Sequence, residues 1–476
     1  MKRITIFLLI LCLGTSCSKN LEALNENTKD ATSAGGETFF TSALVNLSNR
    51  MNNVGLSQPP FVFFVQYLTE VTYVELSNYY IANTNVSDLL WQDIYQRVIK
   101  NLNEAYIVTS TLEPLNDDEQ VEKNNRLAIT EIMTVFTYGM LVDVYGDIPY
   151  SDAMNIDNVL PKYDDAETIY LDLLSRLDAA ISQLDPAGTS FGRNDVFYNG
   201  DVSKWVKFAN SLRLKLGLRL IDAIPEQGKE AVLKSAEHVF TSNDDNAILK
   251  YQSTTPNTHP LWVHLVQNNS RFYVGTSTII DLMNELADPR RSAYFSQVNG
   301  SYIGGEYGAV QSFDLSSHLS ARFYEPTLEA IITDYASVEF LLAEAIERGI
   351  LTNLGTTEEH YNKAIEASFE YYEIEGISDY LANPMVNYIT AAGDWKQKIG
   401  TQKWLALFNQ GFEAWSEYRR LDYPVLLAPE DGLVSTVPTR LFYPVSEQGL
   451  NRENYEQASA AIGGDELTNR VFWDQN

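Results

Sequence analysis

Asp143 and Asp147 lie close together in the string Leu141-Val142-Asp143-Val144-Tyr145-Gly146-Asp147-Ile148-Pro149-Tyr150, and neighbouring carboxylates can hold a cation or share acid and base work. The same string carries Gly146 and Pro149, which suit a left-handed turn that ends a long helix and prevents its resumption, and we read it in that structural sense. Arg419 and Arg420 follow Trp415 and Tyr418 and could present guanidinium groups to an anion. Glu413 and Glu417 on the same helix favour internal pairing and stacking instead. Asp288-Pro289-Arg290-Arg291 reads as another helix-ending turn. His259 and His264, the closest pair among five histidines, are separated by Pro260, so they would not share a helical face as zinc ligands do. There is no Gly-x-Ser-x-Gly string. With 63 acidic residues, chance carboxylate pairs are too many to argue for glycoside hydrolysis. No catalytic residue, metal or cofactor is assigned.

Two segments carry the chemistry of binding. A sugar ring offers a C–H face for stacking and hydroxyls for amides and guanidinium groups. Tyr73, Asn78, Tyr79 and Tyr80 combine those ingredients in one segment, and Trp262, Gln267, Asn268, Asn269, Arg271 and Tyr273 do so in the other. The candidate ligand contacts are Tyr73, Asn78, Tyr79, Tyr80, Trp262, Asn268, Arg271 and Tyr273. A different chemistry is expected at Cys17. Lys2 and Arg3 precede an apolar run from Ile4 to Leu13, then Gly14-Thr15-Ser16-Cys17. Such a run reaches only about 15 Å as a helix against roughly 30 Å of hydrocarbon, so it is an export signal and not a span. Its end resembles a lipobox, with Gly14 where a larger aliphatic residue is usual, and implies diacylation of Cys17 and cleavage before it. Cys12 leaves with residues 1–16, so the mature chain can form no internal disulfide. Residues 17–36, rich in Asn, Ser, Thr, Glu and Gly, read as a flexible tether to a single domain, 37–476.

What must position the binding segments is a helical scaffold. Hydrophobic residues make up 45% of 476, enough for a large core. The net charge of -29, more acidic still once the leader is lost, repels phosphate backbones and excludes nucleic acid as a partner. Apolar side chains recur at helical spacing over 166–184, and again from Trp205 to Leu220, which together suggest a hairpin. The pattern returns from Trp91 to Ala105, followed by a nearly all-round apolar helix over 127–142 that belongs at the centre. A third pair covers 335–345 and 361–372, and a fourth candidate runs over 394–420 with a break near Gly411. The fold class is mainly all-α, with four degenerate tetratricopeptide-like helix pairs. Between 251 and 326 the period lapses, apart from a helix near 278–286. Long loop-rich insertions on a rigid scaffold are where binding is usually built.

Several strings, in order along the chain, resemble the SusD/RagB-like group of outer-membrane nutrient-binding lipoproteins, closest to its second SusD-like subfamily. They are the 141–150 string above, Trp205-Val206-Lys207-Phe208-Ala209-Asn210-Ser211-Leu212-Arg213, Asp288-Pro289-Arg290-Arg291, Glu339-Phe340-Leu341-Leu342-Ala343-Glu344-Ala345, Gln402-Lys403-Trp404, Glu413-Ala414-Trp415-Ser416-Glu417-Tyr418-Arg419-Arg420 and Arg470-Val471-Phe472-Trp473-Asp474. The resemblance implies no catalysis. It implies capture of an oligosaccharide or peptide and delivery to a TonB-dependent transporter barrel in the outer membrane, with ligand contacts often drawn from the region of Tyr73 to Tyr80. The expected location is the outer membrane, lipid-anchored and facing outward. Two other readings fit the composition: a secreted helical-toroid glycoside hydrolase, and a purely structural transporter lid.

Overall fold

Helix-forming periodicity becomes packed pairs in the structure, a computed structural model that describes residues 34–55 and 58–475. The leader, Cys17 and the tether up to residue 33 lie outside the described residues. Helices account for 53% of the described residues and strands for 5%, so helix-on-helix packing carries the core. Gly36–Met51 packs on Lys100–Ser110, Asp117–Tyr145 on Ala166–Gln183, Val202–Leu220 on Pro225–Ser235, and Tyr335–Glu347 on Thr357–Tyr371. Trp395–Ala406 and Gly411–Leu421 follow, each also in contact with neighbouring elements.

Local chemistry sets the boundaries. The Asn116 side chain accepts from the Glu119 amide to begin the central helix, and Asp165, Asp201 and Asp334 cap their helices in the same way. Thr356 and Glu359 form a reciprocal capping box. Asp117–Tyr145 is long and apolar enough to cross a membrane, but 83% of its most apolar window is buried inside the protein, which makes it the core helix. It ends at Gly146, whose φ of +83° and ψ of -123° suit a residue without a Cβ.

Two of the pairs differ from the sequence expectation: the helix that follows Trp91 packs more closely on Gly36–Met51 than on the core helix, whose closer partner is Ala166–Gln183. Ala166–Gln183 touches Val202–Leu220, but the closer partner of the latter is Pro225–Ser235. That short helix escapes a periodicity reading because its buried contacts come mostly from Gly228, Ala231, Val232 and Ser235. Small residues are what the crossing needs: a Cβ on Gly228 would lie 2.7 Å from the Gly217 carbonyl oxygen, and one on Gly217 would lie 2.9 Å from that of Gly228.

Two short antiparallel ladders fix the loop-rich part. Strand β1 (Leu68–Glu70) pairs with β3 (Tyr273–Gly275), and β2 (Ala247–Leu249) pairs with β4 (Ala330–Thr333). β2 and β4 flank residues 251–326 and close the insertion at its neck. β1 and β3 tie it to the N-terminal part, with Glu70 opposite Tyr273 and Leu68 opposite Gly275. Within the insertion, Ser277–Glu285 is the longest regular helix, and the rest is turns, short helical stretches and loop.

Candidate functional site

The charged strings that could have been catalytic are built into the interior. Asp143 is fully buried and accepts from the Tyr170 hydroxyl, the Trp473 indole at 2.8 Å and the Arg219 guanidinium. Asp147 serves a separate purpose, accepting from the Ala166 amide at 2.9 Å. From Arg219 a network of buried charges continues through Glu413 at 3.2 Å, which also takes Lys215 at 3.1 Å. Glu417 accepts from Lys403 and from Arg420, each at 2.6 Å, and Arg420 also grips Glu344. The surrounding cations hold the Glu413 and Glu417 carboxyls below their ordinary value against the upward push of burial. Arg419 lies 3.6 Å from the Trp415 ring centroid and donates to the Asp143 and Thr439 carbonyls. Arg290 and Asp288 form a buried bidentate pair that also reaches Gln402 and Tyr380. These groups join helices to one another. His259 is buried, its Nδ1 accepting from the Leu261 amide at 3.0 Å, and burial pushes its pKa down to about 3. Among the described residues no three His, Cys, Asp or Glu side chains are grouped to hold a metal ion.

The two aromatic segments chosen from sequence meet through the β1–β3 ladder. Beyond the ladder, the Val71 amide donates to the Phe272 carbonyl at 2.8 Å, and the Gln311 amide donates to the Val71 carbonyl at 3.0 Å. Three loops therefore run side by side. Tyr73, 51% exposed, meets the exposed Phe272 edge-on with ring centroids 5.6 Å apart. Arg271 is exposed, pairs with Asp314, and lies 4.7 Å from the centroid of Phe313. Phe313 stacks on His318 at 4.7 Å, and His318 meets Tyr324 at 6.5 Å. Val310, at 72% exposed, and Leu315, at 69%, add apolar surface on the same loop. The result is an open aromatic shelf with a guanidinium in its middle, able to stack on rings and donate to hydroxyls or carbonyls.

The other residues chosen from sequence occupy different depths. Asn268 is exposed, while Trp262 and Tyr80 are half-buried. Tyr79 is fully buried at φ +65° and packs edge-on against Phe64. Tyr273 is buried, its hydroxyl 3.1 Å from His264 Nε2, and its ring is 5.8 Å from Phe63. Asn78 is buried, donating to the Val74 carbonyl at 3.1 Å and the Gly308 carbonyl at 2.7 Å. As folded, Asn78, Tyr79 and Tyr273 support the shelf from beneath. Glu70 holds its edge: one carboxylate oxygen accepts from the Leu76 amide at 2.9 Å and the Ser77 amide at 3.2 Å, and burial pushes its pKa up to about 7. Phe313, His318 and Tyr324 were not singled out from sequence. The string from Phe313 to Tyr324 mixes aromatics with Asp, Ser, His and Arg, the criterion already used for the other two segments, and would have qualified.

Several comparisons bear on this geometry. No curated protein matches the chain in sequence. A solved chitin-binding protein is 28% identical, with a TM-score of 0.78 over 93% of this chain and 100% of its own. A SusD homolog from Bacteroides uniformis is 27% identical, with a TM-score of 0.76 over 92% of this chain and 99% of its own. A chitin-binding SusD homolog from Flavobacterium johnsoniae, 24% identical, shares the fold at a TM-score of 0.77 over 93% and 99%. The SusD-like family, described as starch-binding and associating with the outer membrane, is a non-enzymatic binding family whose second model matches residues 25–444. With most of its length matched and its helical scaffold shared with solved SusD homologues, the chain belongs to this SusD-like family.

Proposed function

We propose that the protein is a lipid-anchored, outward-facing lipoprotein that captures an oligosaccharide on the aromatic shelf and delivers it to a TonB-dependent transporter barrel. The observation that carries this reading is the shelf itself: Tyr73, Phe272 and Arg271 exposed together on adjoining loops, with Arg271 over the half-buried Phe313. Flat apolar faces beside a guanidinium suit a sugar better than an extended peptide, whose main chain would ask for a free strand edge. Two similar proteins bear the words chitin-binding in their names, which makes N-acetylglucosamine oligomers, with starch-type glucose oligomers, the first ligands to test. Tyr73, Arg271, Asn268 and Trp262 are the proposed contacts. Tyr80 lies at the margin, and Asn78, Tyr79 and Tyr273 support the loops. The lipid on Cys17 would keep the domain beside its transporter, since two or more acyl chains suffice for stable anchoring.

Calorimetric titration of the full chain with these oligosaccharides tests the reading. Tyr73→Ala and Phe272→Ala should each weaken binding about five-fold, as expected for loss of roughly 1 kcal/mol of ring contact. Unchanged affinity in both variants, or no binding to any oligosaccharide, would remove the shelf from the mechanism.

A further inference from the structure

A groove of about 460 Å³ opens beside the shelf, between the Gly36–Met51 helix and two π-helical stretches, Ile94–Ile99 and Val263–Gln267. π-Turns widen a helix and are frequent at functional sites. Arg50 and Arg97 both lean on one carboxylate here, Asp93, at 3.4 and 3.2 Å. Arg97 is largely exposed, whereas Arg50 is 7% exposed. Arg50 Nη1 donates to the Gln58 side-chain carbonyl at 3.1 Å, while its Nε and Nη2 are buried without a partner among the described residues and would reach a ligand only after a local side-chain shift. A guanidinium withdrawn from water with donors unfilled is costly unless an anion completes its shell. Burial also lowers the Arg50 pKa from its ordinary value, an effect that Asp93 offsets only in part.

The neighbouring amides point to the same ligand chemistry. The carbonyl oxygen of Asn49 is occupied by the Tyr251 hydroxyl at 2.6 Å, that of Asn53 by the Val54 amide at 2.9 Å, and that of Gln58 by Arg50. Their NH2 groups have no partner among the described residues. Three amides thus have one lone pair of each acceptor engaged and both donors unengaged, beside two cations that share one anion. On a chain of net charge -29 this is a local reversal of sign. A neutral hydroxyl asks for donors and acceptors alike. A carboxylate, with about four lone-pair sites, asks only for donors. We infer that the groove between Arg50 and Arg97 is a subsite for the carboxylate of an acidic sugar, a uronic acid unit of the captured oligosaccharide. This rests on the glycan reading of the shelf and narrows its substrate class. The link between the two is His264 and Asn268, which line the groove from the segment that also carries Arg271 and Phe272.

The test is calorimetric titration of the full chain, in detergent, with three probes: an oligogalacturonate, a neutral N-acetylglucosamine oligomer and an oligoglutamate peptide. The oligogalacturonate should bind at least ten-fold more tightly than the other two and weaken steeply with added salt. Arg97→Gln, at an exposed position that does not threaten folding, should reduce its affinity at least ten-fold, and Arg50→Lys should do so where melting confirms a folded protein. Uronate affinity unchanged in Arg97→Gln, or preference for the peptide, would overturn the inference. Binding of the neutral oligomer alone would overturn it too while leaving the glycan reading intact. Failure of both sugars to bind would remove both.

Discussion

Identical residue types do opposite work a few positions apart, as Tyr73 and Tyr79 show. Tyr79→Ala should cost roughly 3–5 kcal/mol of unfolding free energy in urea titrations, the usual range for emptying a buried aromatic site, whereas Tyr73→Ala should stay within about 0.5 kcal/mol of the parent. Glu70 adds a pH signature. Its folded value of about 7 lies above the ordinary 4.5, because burial disfavours the carboxylate more than the Leu76 and Ser77 amides favour it. The folded protein therefore holds this proton more tightly than the unfolded chain. Its contribution is complete below the unfolded value and is lost as pH rises through about 7. Glu70→Gln, which keeps an acceptor for the two amides, should raise the melting temperature at pH 8 and change it little at pH 4, with a difference of up to about 3 kcal/mol. Sequence singled out two segments that the fold sets side by side, but not the depth of each side chain. Burial of Tyr79 and Tyr273 depends on Phe64 and Phe63, which come from a different element.

Among elements, most long helices were legible, Gly36–Met51 being the exception, and of the short ones only Ser277–Glu285 was. The apolar stripe over 166–184 matches Ala166–Gln183 almost residue for residue, because three or more turns of periodic pattern leave little ambiguity. Strands of three or four residues carry no such signal, so the ladders that position the insertion were invisible. Helix partners were equally hidden, since Gly217 meets Gly228 through backbone and leaves no large apolar residue to notice. The end of the core helix was readable from Gly146 and Pro149. At Gly146 the closest atom to an added Cβ would be Ile462 Cγ2 at 3.9 Å, so there is room, and the obstacle is the φ of +83° alone. Gly146→Ala should accordingly lose about 1–3 kcal/mol by backbone strain without a cavity or clash, measurable as a lower urea midpoint at constant slope.

Across the whole molecule, buried charges link helices that are far apart in sequence. Asp143, Arg219, Glu344, Lys403, Glu413, Glu417 and Arg420 come from five helices, and all but Arg219 lie in the strings that carry the family resemblance. They were legible as markers while their mutual contacts were not, because only the assembled core brings them together. Removing one member leaves its partners charged and unpaired, so Glu417→Gln should cost roughly 3–5 kcal/mol at pH 7. Glu417 is held below its ordinary value, so this stabilisation is present above the unfolded pKa and is lost as pH falls through the folded one. The gap in melting temperature between parent and variant should narrow on acidification, and a constant gap from pH 7 to pH 3 would contradict the ionic account.

The ladders at the neck and flank of the insertion are made from main-chain groups, which every residue except proline supplies alike. The scaffold thus grips these loops at two places without regard to side-chain identity, and at a third through the specific Asp288–Arg290 anchor to Gln402 and Tyr380. Exchanging residues 251–326 for the equivalent stretch of a relative that keeps the Asp288–Arg290 pair on Gln402 and Tyr380 should change the surface around Arg271 and Phe272 while Tyr73, Arg50 and Arg97 stay with the host.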